Sequence, residues 1–137
     1  MRAVVDVNVL ISAALSAKGS SAEILRASRD GQFEIVVSEM LLAELERALA
    51  YPKLRKHIPA ERAAAYIYWA REHGAMVKDP SGPLKLSSRD PDDDYLLALA
   101  IESRAYIVTG DQDLLALGGD LPLLTAKQFL AKLQATR

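Results

Sequence analysis

Short apolar runs alternate with helical patterns along the whole length of this chain. The runs are brief and mostly apolar or β-branched, which is typical of strands that are covered on both faces. Such alternation favours a three-layer α/β/α fold around a mainly parallel sheet of about five strands. The predicted strands are Ala3–Asp6, Phe33–Val37, Ala75–Val77, Ala105–Thr109 and Pro122–Leu124.

The segments between these strands carry apolar residues at helical spacing. In Ser38–Ala50 four leucines recur on one side, and Ser38 is the predicted N-cap. Pro59 opens another helical pattern, and Gly74 is predicted to end it. The predicted helices are Ser21–Arg29, Ser38–Ala50, Pro59–Glu72, Asp92–Glu102, Leu114–Leu117 and Thr125–Leu133.

The composition is that of an ordinary globular protein. At 137 residues the chain has the size of one domain, so we interpret residues 1–137 as a single domain. It has no cysteine, which excludes disulfides and thiolate metal sites. Its net charge of −1 gives no overall basic surface, so any attraction for nucleic acid must come from a local patch.

The sequence predicts a cytoplasmic protein with no membrane association. An acid, Asp6, arrives before any apolar stretch of signal-peptide length. No run approaches the ~18 uncharged apolar residues that are needed to cross a bilayer.

Two acids follow predicted strands at opposite ends of the chain. Asp6 closes the run that contains Val4 and Val5, and Asp111 follows the run Tyr106–Gly110. In an open parallel sheet, ligands bind outside the carboxyl ends of the strands, so these two carboxylates suggest a cation site. Either residue is equally well explained as the N-cap of the helix that follows it, and Asp113 competes with Asp111 for that role.

Two further acids lie on predicted helices. Glu44 is predicted to point towards the carboxyl edge of the sheet if Leu41 and Leu45 face the core, although a lone helical glutamate is usually solvated. Asp94 ends a run of acids whose earlier members suit the positive end of a helix. Because Asp94 begins the face Leu97-Ala98-Ile101, it is predicted to point inward.

Four carboxylates gathered at one point would repel one another strongly. At ~4 Å and an effective dielectric constant of about 20, each pair costs roughly 4 kcal/mol. Such a cluster either takes up protons or holds a cation. Oxygen ligands without a histidine cluster favour Mg²⁺ or Mn²⁺, and Mg²⁺ commonly binds carboxylates together with a substrate phosphate. The pattern therefore indicates phosphodiester chemistry.

Three stretches and one glutamate resemble the PIN-domain ribonucleases, most closely the toxin-like branch that pairs with antitoxins (VapC-like proteins). They are Asp6-Val7-Asn8-Val9-Leu10-Ile11-Ser12, Glu44 within its helix, Asp92-Asp93-Asp94-Tyr95-Leu96-Leu97-Ala98-Leu99-Ala100, and Val108-Thr109-Gly110-Asp111-Gln112-Asp113-Leu114-Leu115. The resemblance spans nearly the whole chain.

The resemblance implies an RNA-cleaving enzyme with one or two Mg²⁺ or Mn²⁺ ions at the carboxyl edge of a parallel sheet. The catalytic and metal-binding acids that it implies are Asp6, Glu44, Asp94 and Asp111. Asp94 is chosen over its acidic neighbours because of the Leu-Leu-Ala pattern that follows it. Supporting roles are assigned to Asn8, Ser12, Thr109 and Asp113.

Binding partners are suggested by a basic stretch and an aromatic one. The basic residues Lys53, Arg55 and Lys56 are candidates for an RNA phosphate path, or else form a solvated helix end and loop. The four residues from Tyr66 to Trp69 cannot all face one core from a single helix. The surplus face is a candidate homodimer surface or antitoxin groove, and the resemblance also favours a homodimer.

Two rival interpretations stay open. Asp6 and the pair Gly110-Asp111 imitate a phosphatase of the haloacid-dehalogenase type, but Asn8 stands where that family has its second aspartate. The other rival is a non-catalytic module that binds RNA or protein, whose acids serve as helix caps.

Overall fold

The computed structural model describes residues 1–81, 91–119 and 121–136, with only the backbone described for residues 91–93. The strands are β1 (Arg2–Val5), β2 (Glu34–Val37), β3 (Ala75–Met76), β4 (Tyr106–Val108) and β5 (Leu123–Leu124). The helices are α1 (Val7–Leu15), α2 (Ser20–Arg29), α3 (Glu39–Leu49), α4 (Pro52–Arg55), α5 (Ala60–His73), α6 (Pro91–Ser103), α7 (Gln112–Leu115) and α8 (Ala126–Ala135).

The described strands form one five-stranded parallel sheet in the order β3-β2-β1-β4-β5. β1 lies at its centre, where Val4 is opposite Val36 on one side and Ile107 on the other. Because all the strands are parallel, their carboxyl ends meet at a single edge. The predicted fold class is therefore confirmed, and with it the convergence of β1 and β4 at that edge.

The sheet is covered on both faces, as its apolar strands require. Successive side chains of β1 alternate between the faces, so Val4 belongs to one core cluster and Val5 to the other. The cluster around Val5 includes Phe129 of α8, and the cluster around Val4 includes Leu97 of α6. This arrangement gives the three predicted layers.

Two helices are absent from the predicted set. Helix α1 holds three β-branched residues at alternate positions, Val7, Val9 and Ile11, a pattern that locally favours a strand. The side chain of Asp6 nevertheless caps the segment as a helix. The second missed helix, α4, is a single turn that begins at Pro52. None of the described helices is long and apolar enough to span a bilayer.

Gly74 ends α5 as predicted, but not through the left-handed backbone that usually explains a C-terminal glycine. Its φ of −72° is open to any residue. What requires glycine is space. A Cβ at this position would lie 2.7 Å from the carbonyl oxygen of Ala70 and 3.2 Å from that of Ile35. The close approach lets α5 turn directly into β3.

We expect Gly74→Ala to lower the free energy of unfolding by about 1–3 kcal/mol, the usual cost of overpacking a tight contact. The colliding oxygen atoms belong to the backbone and cannot move aside cheaply. Gly110→Ala is the matched control, because a Cβ at Gly110 meets no atom within 4 Å. Urea denaturation of both variants measures the difference, and equal stability of the two would contradict this account.

Candidate functional site

Asp6 is the first residue after β1 and lies between the ends of β1 and β4. Its backbone N–H donates to the carbonyl oxygen of Val108 at 2.9 Å, which extends the β1–β4 pairing by one bond. The residue is only 9% exposed. Its Oδ1 accepts from the backbone N–H of Asn8 at 3.3 Å, so Asp6 is the N-cap of α1. Asp6 therefore has both predicted features: it caps a helix and it lies at the carboxyl edge of the sheet.

Thr109 links the two strand ends. It is fully buried, and its hydroxyl donates to Oδ2 of Asp6 at 2.8 Å. The same Oγ1 accepts from the backbone N–H of Asp111 at 3.1 Å. One hydroxyl thus connects the candidate acids of β1 and β4, and both oxygens of Asp6 have a donor within its own fold.

Asp111 is the N-cap of α7. Its Oδ1 accepts from the backbone N–H groups of Asp113 at 2.9 Å and Leu114 at 3.3 Å. Asp113 is exposed and supplies only its backbone N–H, so it does not take the capping role. Since both bonds use Oδ1, Oδ2 of Asp111 lies outside them.

Glu44 does not join the carboxylates at the strand ends through any contact among the described residues. Leu41 and Leu45 face the core as predicted, but the Glu44 side chain is 49% exposed. Its Oε2 lies 3.1 Å from a guanidinium nitrogen of Arg47, one turn along the same helix. Exposed pairs of this kind contribute about 0–1 kcal/mol, so the carboxylate is held only weakly.

Asp94 is half-buried in the first turn of α6. The face predicted for Asp94 is wrong at one residue: Leu97 is buried, but Ile101 is 50% exposed. The buried side of α6 contains Leu97 from the predicted face together with Ala100, and both pack against the sheet. The side chains of Asp92 and Asp93 lie outside the described residues.

The predicted supporting residues Asn8 and Ser12 are both exposed on α1. A supporting role for Asn8 would have its side-chain amide hold a carboxylate or a water in place. It is the backbone N–H of Asn8 that bonds to Asp6. This bond is open to any residue except proline, so it does not explain the choice of asparagine.

Carboxylate oxygens suit a hard divalent cation that takes only a few of its ligands from the protein. Within residues 1–81, 94–119 and 121–136, no three acidic or histidine side chains lie close enough together to hold one metal ion. Mg²⁺ usually retains several waters and binds through one or two carboxylates. Asp6 supplies one buried carboxylate, and Thr109 bonds both to that carboxylate and to the backbone N–H of Asp111.

A second polar network lies at the carboxyl end of β2, and the sequence analysis did not find it. The hydroxyl of Tyr95 donates to Oδ1 of Asp79 at 2.6 Å and lies 2.5 Å from Oγ of Ser38. Oδ2 of Asp79 accepts from the backbone N–H of Met40 at 3.1 Å. No local pattern marks these residues, because the bonds join positions 16 to 57 residues apart.

This network holds Asp79 in its ionised form. Burial raises the pKa of Asp79, but the hydrogen bonds that its carboxylate accepts, including those from the Tyr95 hydroxyl and the Met40 backbone, outweigh burial and leave the pKa below its ordinary value. Burial, followed by the bond to Asp79, raises the pKa of Tyr95. Asp79 is therefore an anion and Tyr95 a neutral donor at neutral pH.

The basic residues lie away from this edge. Arg71 near the end of α5 pairs with Glu39 at the start of α3, so the two helices run antiparallel with α4 at their far end. The 11 residues of α3 span roughly 16 Å. Lys53, Arg55 and Lys56 therefore stand about one helix length from the carboxyl end of β2.

The aromatic stretch on α5 divides as predicted. Tyr68 is 66% exposed, while its neighbours Tyr66, Ile67 and Trp69 are half-buried. The Tyr66 hydroxyl donates to the carbonyl oxygen of Leu10 at 2.8 Å, which fastens α5 to α1.

A family model described as the PIN domain matches residues 2–113 of this chain. The chain belongs to the PIN-domain family. Members of this family are generally nucleases that use divalent metal ions. This membership sets aside the haloacid-dehalogenase alternative.

Individual relatives agree with the assignment. This PIN domain is 32% identical over 117 residues to the uncharacterized protein MJ1680 of Methanocaldococcus jannaschii. The match covers 85% of this chain and 75% of that protein. Its fold is similar to that of PAE2754 from Pyrobaculum aerophilum, with a TM-score of 0.68, 18% identity, and coverage of 98% and 96% of the two chains.

A similar fold is also found in a chain of the crystal structure of VapBC2 from Rickettsia felis bound to a DNA fragment from their promoter. The TM-score is 0.66 at 17% identity, and the match covers 91% of this chain and 98% of that one.

We expect Thr109→Val to lower the free energy of unfolding by about 2–3 kcal/mol. The substitution keeps the shape but leaves Oδ2 of Asp6 without the Thr109 donor and the Asp111 N–H without its acceptor. Hydrogen bonds to charged groups contribute about 1.5–3 kcal/mol. Thr109→Ser is the control, since it keeps both bonds and removes only a methyl group, about 0.8 kcal/mol. Equal losses in urea denaturation would show that the hydroxyl does not link the acids.

The Asp79 network predicts a pH-dependent contribution to stability. Because the folded protein lowers the pKa of Asp79, the contribution is complete above the ordinary value of 3.8. It is lost as the pH falls below that value, through the lower pKa of the folded state. The stability difference between the wild type and Asp79→Asn should therefore be larger at about pH 6 than at about pH 3. A difference that stays constant in urea denaturation would contradict the prediction.

Proposed function

We propose that this PIN domain is a Mg²⁺- or Mn²⁺-dependent endoribonuclease. The observation that carries the proposal is the buried carboxylate of Asp6, fixed at the meeting point of two parallel strands and joined to Asp111 through Thr109. Membership of a family of nucleases gives this arrangement its chemical interpretation.

The proposed metal ligands are Asp6, Asp94, Glu44 and Asp111, with one or two ions bound. Asp6 and Asp94 would hold the principal ion, while Glu44 and Asp111 would bind further or orient water. A divalent ion in such a site supplies a more acidic water and neutralises the charge that builds on the phosphate.

The chain's own residues prepare this site before substrate arrives. Thr109 and the backbone of Asn8 fix both oxygens of Asp6, so the orientation of the carboxylate is set by the fold. Oδ2 of Asp111 accepts no hydrogen bond from the described residues, because the capping bonds use only Oδ1. Glu44 is exposed and its partner Arg47 holds it weakly, so little free energy would be lost if its carboxylate turned away from Arg47 to bind a metal ion.

We propose that RNA is the substrate and that Lys53, Arg55 and Lys56 contribute to its affinity. Their separation from the acids means that they would bind phosphates outside the cleavage point. Such contacts add affinity that falls with salt concentration and carry no sequence information directly.

We also propose that the protein is the toxin of a toxin–antitoxin pair, that it acts in the cytoplasm and that it forms a homodimer. The fold shared with a chain of the VapBC2 structure supports the first suggestion. The exposed Tyr68, in a groove that it shares with Arg55 and Arg71, supports a protein contact, because aromatic and arginine side chains are enriched at interfaces.

A second candidate function is a non-catalytic module that binds RNA or protein. It is favoured by the lack of a three-carboxylate group within the described residues and by the capping roles of Asp6 and Asp111. Titration calorimetry with Mn²⁺ separates the two functions. An inert module should show no site of millimolar or tighter affinity.

We expect Asp6→Asn to reduce RNA cleavage roughly a hundredfold or more, because a catalytic metal contributes several kcal/mol and each 1.36 kcal/mol is tenfold in rate. Cleavage by the wild type should stop with a chelator and return with Mn²⁺. Asp30→Asn, at an exposed carboxylate after α2, is the control and should retain full activity.

Purified protein and a labelled single-stranded RNA are sufficient for this measurement. Undiminished cleavage by Asp6→Asn combined with Asp94→Asn would remove the proposal.

A further inference from the structure

The hydroxyl of Tyr95 joins three separate segments of the chain. Tyr95 lies in the first turns of α6. Its hydroxyl bonds to Asp79 in the segment after β3 and contacts Ser38 at the junction of β2 and α3. The segments meet at the carboxyl edge of the sheet, because β2 and β3 are parallel neighbours. The same edge carries Asp6 and Thr109.

The directions of the hydrogen bonds follow from the chemistry of the groups. A phenol has one O–H, and the Tyr95 hydroxyl donates it to the Asp79 carboxylate. Ser38 is therefore the donor in its contact with Tyr95. The Ser38 oxygen also accepts from the backbone N–H of Leu41 as the N-cap of α3. The start of α3 and the start of α6 are thus connected through a single phenolic oxygen.

Asp94 lies next to this connection in the chain. Asp94 directly precedes Tyr95, and both are in the first turns of the helix. The later turns of α6 are anchored on the sheet by buried residues such as Leu97 and Ala100. Helix ends fray where packing is weak, and Asp94, the first side chain of α6 that the structure describes, is polar and half-buried. The Tyr95 ring packs against the core cluster that contains Leu97, and its hydroxyl adds directional bonds to that packing.

We propose that Tyr95 is a positioning residue that holds the first turn of α6, and with it Asp94, against the carboxyl edge of the sheet. The inference rests on the proposed function for its consequence in catalysis, since Asp94 is a proposed metal ligand there. The placement of the helix start can be measured without any enzyme assay.

The test is amide hydrogen exchange in Tyr95→Phe. This substitution keeps the ring and removes only the hydroxyl. The backbone N–H groups of residues 95–98 report on the helix start, because they bond to the carbonyl groups of the preceding turn. We expect them to exchange roughly tenfold faster than in the wild type, on the scale of one lost hydrogen bond to a charged group. Amides in α8 should not change.

Two further variants separate this effect from general loss of stability. Tyr106→Phe is the matched control, because Tyr106 is also half-buried and its hydroxyl has no hydrogen bond to the described residues. It should leave the exchange at residues 95–98 unchanged. Asp79→Ala removes the carboxylate that accepts the bond from Tyr95, and it should speed exchange of the same amides. This variant provides the test if Tyr95→Phe does not fold.

In the RNA cleavage assay we expect Tyr95→Phe to lower kcat about ten- to hundredfold, as loss of a group that orients a metal ligand does, with little change in KM. Unchanged exchange at residues 95–98 overturns the inference, whether or not RNA is cleaved. Faster exchange with an unchanged kcat overturns the link between Tyr95 and the site. Faster exchange in a protein whose wild type cleaves no RNA supports the positioning role and overturns the proposed function alone.

Discussion

The burial of one carboxylate, that of Asp6, constrains the rest of this structure. A buried anion is costly unless donors surround it. Here the fold supplies them from the backbone N–H of Asn8 and the hydroxyl of Thr109. The first donor requires α1 to begin immediately after β1. The second requires β4 to lie beside β1 in the register that brings Val5 opposite Val108. The local helix start and the long-range strand pairing are thus satisfied by the same side chain.

This constraint explains why capping and candidate catalysis are not competing interpretations here. Asp6 and Asp111 both cap helices, and both stand at the ends of neighbouring parallel strands. A cap fixes the orientation of a carboxylate without using all of its acceptor capacity, since each ionised oxygen has more than one lone pair. The bonds that fold the chain therefore also preorganise the site.

A second set of bonds does the same for the elements that flank the site. Ser38, Tyr95 and Asp79 connect the start of α3, the start of α6 and the segment after β3. The first turn of α6 carries Asp94. These hydrogen bonds act together with the packing of Tyr95 and Leu97 at the described beginning of the helix.

The sequence by itself determined the fold class, most element positions and the candidate acids. Period-2 and period-3.6 patterns are local, and Val4–Val5 before Asp6 or the leucines after Ser38 carry their meaning within a few residues. A helix after Asp6 was predicted only as one interpretation of that residue, without bounds. The alternating β-branched residues of α1 locally favour a strand, and the capping bond from Asp6 favours the helix that forms. The burial of Ile101 was predicted wrongly because which side of α6 faces the sheet depends on the neighbouring elements. Only the tertiary structure decided the Thr109 link and the Tyr95 network. Their partners are separated by 103 residues for Thr109 and Asp6, and by 57 for Ser38 and Tyr95. The physical reason is that such hydrogen bonds exist only after the sheet has brought distant segments together, and no local pattern records them.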